Sequence, residues 1–203
     1  YALGAFTKSC ADFSSIKVKS AIPAATAIPP GIISGNVKVI SNVVESVGLD
    51  VVNVIDEPTA AASVLGITDG AVVDVGGGTT GISILKDGKV IFTADEPTGG
   101  THMTLVLAGS LGCSFEEAER IKKDPKQEML VFPVVKPVIE KMAAIVARFI
   151  EGYDVDVIYV VGGACSFKKF ESVFEKETGV KTIKPKEPLL VTPLGIAMNC
   201  NKQ

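Results

Sequence analysis

The sequence predicts an α/β fold, and three observations carry that reading. A β-branched segment, Val51-Val52-Asn53-Val54-Ile55, passes through the acidic turn Asp56-Glu57-Pro58 into an alanine-rich helix. Three apolar strands then follow one another through a glycine turn and an Asp-Gly turn. Finally, a long amphipathic helix leads into a second buried strand, Val157-Ile158-Tyr159-Val160-Val161.

In chain order, residues 1–20 are mildly apolar at 2–6 and otherwise mix Ser, Lys and Cys; they read as a frayed helix that carries no chemistry. Residues 24–28 are an apolar run stopped by Pro29-Pro30-Gly31, the pattern of a buried strand ending in a turn. Val37, Ile40, Val44 and Val47 recur at helical spacing ahead of Gly48, which stands where a C-cap belongs. After the strand and acidic turn at 51–58, residues 59–65 form a short helix. Residues 71–75 are a strand, 76–78 a glycine turn and 81–85 a second strand. Asp87-Gly88 turns the chain into a third at 90–93, which completes an antiparallel meander. Helical spacing returns through Leu105 and Leu107. Ser114-Phe115-Glu116-Glu117 has the capping-box pattern and opens a helix running to Lys123. Over 133–151, Val134, Val138, Met142, Ile145 and Phe149 mark the inner face of the longest helix. The strand at 157–161 leaves through Gly162-Gly163. Ser166 caps a helix that turns Phe170, Val173 and Phe174 inward, and Thr192-Pro193 opens a last short helix.

Composition narrows the function classes. Hydrophobic residues make up 47% of 203, enough for one good core or two small ones, and the formal net charge is −3. No basic block interleaves with aromatics, which argues against a nucleic-acid partner. Cys10, Cys113, Cys165 and Cys200 form no C-x-x-C pair, and His102 is the one histidine, so a Cys/His metal site is not built and a reducing compartment fits. Cys113, Cys165 and Cys200 read as small buried hydrophobes. No apolar run reaches the roughly 18 residues of a membrane helix, and no signal-peptide pattern opens the chain. The first residue is Tyr1 and the first methionine Met103, so a missing upstream segment is expected.

Three segments carry candidate chemistry. The first is Asp74-Val75-Gly76-Gly77-Gly78-Thr79-Thr80-Gly81. It matches G-x-G-x-x-G, but a dinucleotide fingerprint needs its glycines to open a helix, and these open the strand Ile82-Ser83-Ile84-Leu85. Glycines in a strand–turn–strand leave amides free as an anion nest, Thr79 and Thr80 add hydroxyls, and Asp74 is placed to hold Mg²⁺ through water. The alternative is an ordinary glycine hairpin with a solvated aspartate. The second is Glu57, at a strand's carboxyl end beside Pro58, either orienting a water or standing as an exposed first-turn carboxylate. The third is Gly162-Gly163, which permits a base or sugar to lie against backbone, or simply makes a tight turn. His102 is placed either to donate to a phosphate or to sit on the surface.

The order of these segments, E-P-T-A-A-A at 57–62, D-V-G-G-G-T-T at 74–80 and V-V-G-G at 160–163, resembles the actin, sugar-kinase and heat-shock-chaperone ATPase superfamily. Within it, the chain resembles the chaperone-like EutJ family of ethanolamine utilisation. That likeness rests on Ala27-Ile28-Pro29-Pro30-Gly31, residues 56–62 and 74–86, Glu96-Pro97-Thr98-Gly99-Gly100-Thr101-His102, residues 132–144 and Thr192-Pro193-Leu194-Gly195-Ile196-Ala197, and covers the chain from residue 22 onward. It implies a ribonuclease-H-like actin-type ATPase fold of two lobes with ATP or ADP and Mg²⁺ in the cleft. By the same resemblance, Gly76, Gly77, Gly78, Thr79 and Thr80 cradle the phosphates, with Asp74 and Glu57 near metal and water. Gly162 and Gly163 lie under the adenosine, and Glu119 and Lys122 contact the ribose. On pattern alone Glu119 and Lys122 read as a solvated helix face rather than as ribose contacts. The implied setting is the bacterial cytoplasm, associated with a microcompartment, with clients among ethanolamine-degrading enzymes or shell proteins and neither nucleic acid nor membrane as partner.

Departures from the superfamily pattern qualify the catalytic expectation. The first-lobe Asp-x-Gly-Thr hairpin is not in these residues, and Ala164-Cys165-Ser166 stand where chaperone members carry Ser, Thr and Arg, so an adenine-stacking guanidinium is missing. The expected organisation is a first-lobe remnant at 1–67, a complete second lobe at 68–191 with phosphate turn and adenosine segment, and a helix at 192–203 returning to the first lobe. At most a weak ATPase is expected. Three functions fit: a nucleotide switch, a small-molecule kinase of the superfamily, and a scaffold that kept the fold without turnover.

Overall fold

The computed structural model of the chain describes residues 18–21, 38–39, 41–48 and 51–199. The expected strand at 24–28 with its proline turn, most of the expected helix at 1–20, Val37, Ile40, Cys10 and Cys200 lie outside them.

A strand buried on both faces reads as a continuous apolar run, because alternate side chains each meet a covered surface. The strand at Gly70–Val75 is such a run, and every one of its residues is buried. We number strands in chain order: β1 (Val18–Ala21), β2 (Val51–Ile55), β3 (Gly70–Val75), β4 (Thr80–Lys86), β5 (Lys89–Glu96), β6 (Val157–Val161) and β7 (Lys181–Ile183). β3 to β7 form one sheet in the order β5-β4-β3-β6-β7. β3 is antiparallel to β4, with Val75 opposite Thr80, and parallel to β6, with Ala71 opposite Ile158. The predicted meander is therefore present, continued by two parallel strands on the other edge of β3.

β1 pairs parallel with β2, Val18 opposite Val51 and Ala21 opposite Ile55. This corrects the frayed helix at its described end. A β-branched partner strand draws residues 18–21 into a ladder, and pairing of this kind is set by the neighbour rather than by local propensity.

The helices are α1 (Glu57–Leu65), α2 (Gly100–Leu111), α3 (Phe115–Lys123), α4 (Glu128–Ile150), α5 (Phe170–Thr178) and α6 (Pro188–Asn199). Residues 38–39 and 41–46 are also helical, ahead of Gly48 as the spacing predicts. α1 starts at Glu57, two residues before the expected position. Asp56 Oδ1 accepts from Thr59 N at 3.0 Å as the N-cap, and Pro58 falls in the first turn, where a missing amide costs nothing. In α3, Ser114 Oγ accepts from Glu117 N as predicted.

Three helix expectations are corrected. α4 begins at Glu128 and keeps Pro133 and Pro137 inside it, so Pro133 is not its first residue. Those prolines withhold amides from the carbonyls of Met129 and Pro133, but burial of the inner face holds the helix together. That face runs through Val131, Val135, Ile139, Met142, Val146 and Ile150, about one residue round from the predicted line; Val134, Val138 and Phe149 pack beside it, partly buried. Ser166 caps no helix: it ends a 3-10 turn at Gly163–Ser166, its hydroxyl donating to Gly163 O at 2.8 Å, and α5 starts four residues later, with Phe170, Val173 and Phe174 buried as predicted. α6 starts at Pro188, a turn before Thr192.

The sheet divides the core in two. Ala71, Val73 and Val75 pack with α2, α4 and α5, whereas Val72 joins Ala61, Ala62 and Val191 from α1 and α6. Each fully buried Val or Ile here contributes about 1.5–3 kcal/mol. Asp74 shares the parity of Val72, so strand alternation alone directs its carboxyl toward α1 and α6. Among the described residues no helix is long and apolar enough to cross a membrane.

Candidate functional site

The turn from β3 to β4 is closed by Gly76 N donating to Thr79 O at 3.0 Å. Among the described residues the amides of Gly77, Gly78 and Thr79 donate to no backbone carbonyl, which leaves a row of donors of the kind that binds anions. The turn is held from behind by α2. Gly100 N donates to Gly76 O at 2.9 Å and Thr101 N to Gly77 O at 2.8 Å, so these first-turn amides hold the turn rather than a ligand. The approach is so close that a Cβ on Gly99 would stand 2.7 Å from Gly77 O. His102 Nδ1 accepts from Gly99 N at 3.2 Å, which closes the start of α2 and removes that ring nitrogen as a phosphate donor. Thr80 is buried, and its hydroxyl donates to Thr98 O at 2.6 Å.

Asp74, 4% exposed, accepts a hydrogen bond from the Thr192 hydroxyl of α6. Burial raises its pKa, and the Thr192 bond opposes the rise. Glu57 stands half-buried at the start of α1, pushed up to about 7 by burial first and then by the charges of Asp74, Asp95 and Asp56. Burial also raises Asp95, against a hydrogen bond with Thr79. Asp56 is occupied as a cap and takes the Ser83 hydroxyl at 3.1 Å. Negative charge is therefore in excess beside the phosphate turn. Among the described residues no three of His, Cys, Asp and Glu converge as a group that could hold a metal ion.

A cavity of about 570 Å³ opens on the other side of the turn. Its lining brings together the glycines Gly76, Gly77 and Gly100, the charged Glu119 and Lys122, and the apolar Pro125, Phe167 and Leu189. Glu119 and Lys122 are not a solvated face. The Lys122 side chain is 11% exposed, and its ammonium meets Glu119 Oε2 at 2.6 Å, Thr104 Oγ1 at 2.6 Å and Gly100 O at 2.9 Å. Burial pushes Glu119 up, but the bonds from Lys122, Lys123 and Thr104 outweigh it and hold its carboxyl at about 2. Of the predicted site residues, Gly76, Gly77, Glu119, Lys122 and Gly163 line this cavity. Glu57, Asp74, Gly78, Thr79, Thr80 and Gly162 do not. Gly162, at φ +92°, lies against β3, where a Cβ would stand 2.5 Å from Val75 O. Cys165 is buried, its thiol donating to Gly162 O at 3.0 Å; Cys113 is half-buried against the core.

The sequence profile of the family described as cell division protein FtsA matches residues 71–195, which span the phosphate turn, the cavity and Thr192. The chain belongs to this family. It is 47% identical over 175 residues to the ethanolamine utilization protein EutJ of Salmonella typhimurium, a stretch covering 86% of the chain and 61% of that relative. The crystal structure of EutJ from Carboxydothermus hydrogenoformans superposes with a TM-score of 0.76 at 52% identity, over 80% of this chain and 61% of that one. MreB5 of Spiroplasma citri bound to ADP matches with a TM-score of 0.71 at 16% identity, over 86% of this chain and 66% of that one, which speaks for the fold alone. The chain therefore has the actin-type ATPase fold, its resemblance to EutJ is borne out, and it spans about three-fifths of the length of the curated EutJ relatives it matches.

Several residues of this FtsA-family domain were invisible as site residues. Thr192 has a sequence signal only as a helix start and within a segment of family likeness, and its bond to Asp74 needs the fold. Phe167, Pro125 and Leu189 enter the cavity from three segments that share no motif. Gly100 alone had a signal, in the run Pro97-Thr98-Gly99-Gly100 just after the meander.

Proposed function

We propose that the chain is the nucleotide-binding part of an ATP-dependent, chaperone-like switch, which assists folding or assembly of proteins of an ethanolamine-utilisation microcompartment in the bacterial cytoplasm. One observation carries the nucleotide reading. A cavity of about 570 Å³ is lined by glycines of the phosphate turn, by a carboxylate and an ammonium, and by apolar side chains, the chemistries that phosphate, ribose and base require. Gly76, Gly77, Gly78, Thr79 and Thr80 would form the phosphate turn, Glu119 and Lys122 the ribose contacts, and Gly162 and Gly163 the backbone floor beneath the adenosine. Mg²⁺ would be held through water by Asp74 with Glu57 beside it, where mutual repulsion of carboxylates favours a cation. When bound, the metal would neutralise phosphate charge.

In this reading residues 68–191 are the second actin-like lobe, 1–67 a remnant of the first, and the chain from 192 onward, which continues α6, returns to the first lobe. ATP acts by favouring one arrangement of lobes over another, to the extent that it binds the two with different affinity. The similarity to EutJ supports the setting, and the clients would be ethanolamine-degrading enzymes or shell proteins. Burial of Asp74 beneath Thr192 favours, as second reading, a scaffold that binds nucleotide with little or no turnover.

Isothermal calorimetry of Mg-ATP into the full-length polypeptide tests this. Binding with micromolar affinity is expected, weaker by about tenfold in Asp74→Ala. Phosphate release without an acceptor favours the switch; binding without release favours the scaffold; no heat for either protein removes the nucleotide reading.

A further inference from the structure

Phe167 lines the cavity from a short irregular segment. It follows the 3-10 turn Gly163–Ser166 and precedes α5, so it belongs to neither helix. Within the run Phe170 N donates to Phe167 O at 3.1 Å, and the rest of its hold comes from neighbouring elements. One side of Phe167 rests on Phe132 of α4, ring centroids 6.0 Å apart. The backbone is gripped from outside at two points: Glu128 Oε1 of α4 accepts from Lys168 N at 2.6 Å, and Lys184 meets the Phe167 carbonyl.

The Lys184 side chain is 14% exposed, and its ammonium donates to the Phe167 carbonyl while lying 2.8 Å from Glu171 Oε2 in the first turn of α5. That carboxylate oxygen is buried, and the ammonium approaches it outside hydrogen-bond geometry, so the attraction between them is charge against charge. A well-hydrated ammonium taken this far from water is destabilising unless a carbonyl and a counter-charge replace its hydration, and here both do. Lys184 directly follows β7, which pairs with β6, which pairs with β3. The cation thus fastens the cavity wall at Phe167 to the same sheet that carries Asp74 and the phosphate turn.

We propose that Lys184 is a positioning residue for the base end of the cavity: through the Phe167 carbonyl and Glu171 it fixes where Phe167 stands, and so sets how tightly a purine is held without touching the nucleotide. The consequence for affinity rests on the nucleotide reading above; the tether itself does not. It also supplies a physical substitute for the missing guanidinium. An apolar wall held still by a buried cation offers stacking area at a lower ordering cost than a free side chain would.

Two measurements on the full-length protein separate the tether from the nucleotide. Amide hydrogen exchange of the nucleotide-free protein is expected to speed up about tenfold or more over 163–169 in Lys184→Met, with 76–80 unchanged and Lys184→Arg close to wild type. Exchange unchanged over 163–169 overturns the tether. In calorimetry, Lys184→Met is expected to weaken ATP and ADP about tenfold while tripolyphosphate, which has no base, stays within about twofold. Equal loss for ATP and tripolyphosphate, or no loss for ATP, overturns the positioning role. If Lys184→Met does not fold, Glu171→Gln, which keeps the shape and removes the counter-charge, is expected to move both readouts the same way by a smaller factor, and a silent Glu171→Gln overturns the proposal. A wild-type protein that binds no adenine nucleotide sinks the nucleotide reading and the affinity consequence together, leaving exchange to judge the tether.

Discussion

Thr192 donates its hydroxyl to Asp74 across 118 positions of sequence, joining α6 to the central strand β3. Both side chains are buried, so water cannot take over if the donor is lost. Thr192→Val keeps the shape and removes the donor, and is expected to cost about 1–3 kcal/mol, the penalty for a buried acceptor left without its partner. Thr192→Ser should recover most of it. Urea unfolding of the three proteins at neutral pH measures both numbers, and a valine variant as stable as wild type would show that the bond contributes nothing.

Two carboxylates pull the pH dependence in opposite directions. Glu57 has a folded pKa of about 7 against 4.5 for the free side chain, so the folded state holds the extra proton between those values and stability falls as pH rises from 4.5 to 7. Glu119, at about 2 in the folded state, contributes stability that is present above 4.5 and lost as pH falls toward 2. Glu57→Gln should therefore be more stable than wild type above pH 7, by about 1 kcal/mol once solvent screening at a half-exposed site is allowed for. Glu119→Gln should instead flatten the acid limb. Unfolding midpoints across the two windows distinguish the variants, and a Glu57→Gln curve parallel to wild type rules out the first assignment.

Two glycines of the site should respond differently to alanine. A Cβ on Gly162 would press on Val75 O at 2.5 Å and force a side chain into φ +92°, so Gly162→Ala is expected to lose about 3 kcal/mol or to fail to fold. At Gly77 an added Cβ meets nothing within 4 Å. Gly77→Ala should stay within about 0.5 kcal/mol of wild type in stability while weakening ATP, because its methyl intrudes on the row of amides. Thermal unfolding paired with calorimetry tests the contrast, and equal loss of stability in both variants would contradict it.

Cys165 should be inert. Burial pushes its thiol up to about 12; the nearby Lys184 ammonium lowers it and Asp74 raises it again. Iodoacetamide at pH 8 is expected to leave Cys165 unlabelled in the native protein and to modify it fully in urea, as judged by peptide mass spectrometry. Rapid labelling without denaturant would mean that the strand–turn junction at 162–165 opens readily.

What the sequence made legible was local. The glycine turn, both strands beside it, the Asp-Gly hairpin and the Ser114 cap each depend on residues within a few positions of one another, and all are where their spacing puts them. What escaped depends on distant partners. Val18–Ala21 becomes a strand only because Val51–Ile55 lies alongside, and β7, three residues with Thr182 alone buried, has too little pattern to stand out. Pro133 looked like a beginning because proline usually is one; eight buried residues on the inner face of α4 outweigh two missing amides. At the site, the glycines and acidic residues carried a motif, whereas Thr192, Phe167 and Lys184 act through neighbours that only the folded chain supplies.

The mixed pairing of β3 has a consequence for how the protein is made. Its antiparallel neighbour β4 leaves the ribosome directly after it, but its parallel neighbour β6 does so only once α2, α3 and α4 have been synthesised. For seconds of translation, at about 5–20 residues per second, the meander has a bare, apolar, β-branched edge on β3, its end strand and the later centre of the sheet. A nascent chain in that condition can add a strand from a neighbouring polysome as readily as its own. A slowly decoded stretch within 76–156 would prolong that interval, so synonymous codon choice there, with no change in any residue, should alter the yield of folded protein.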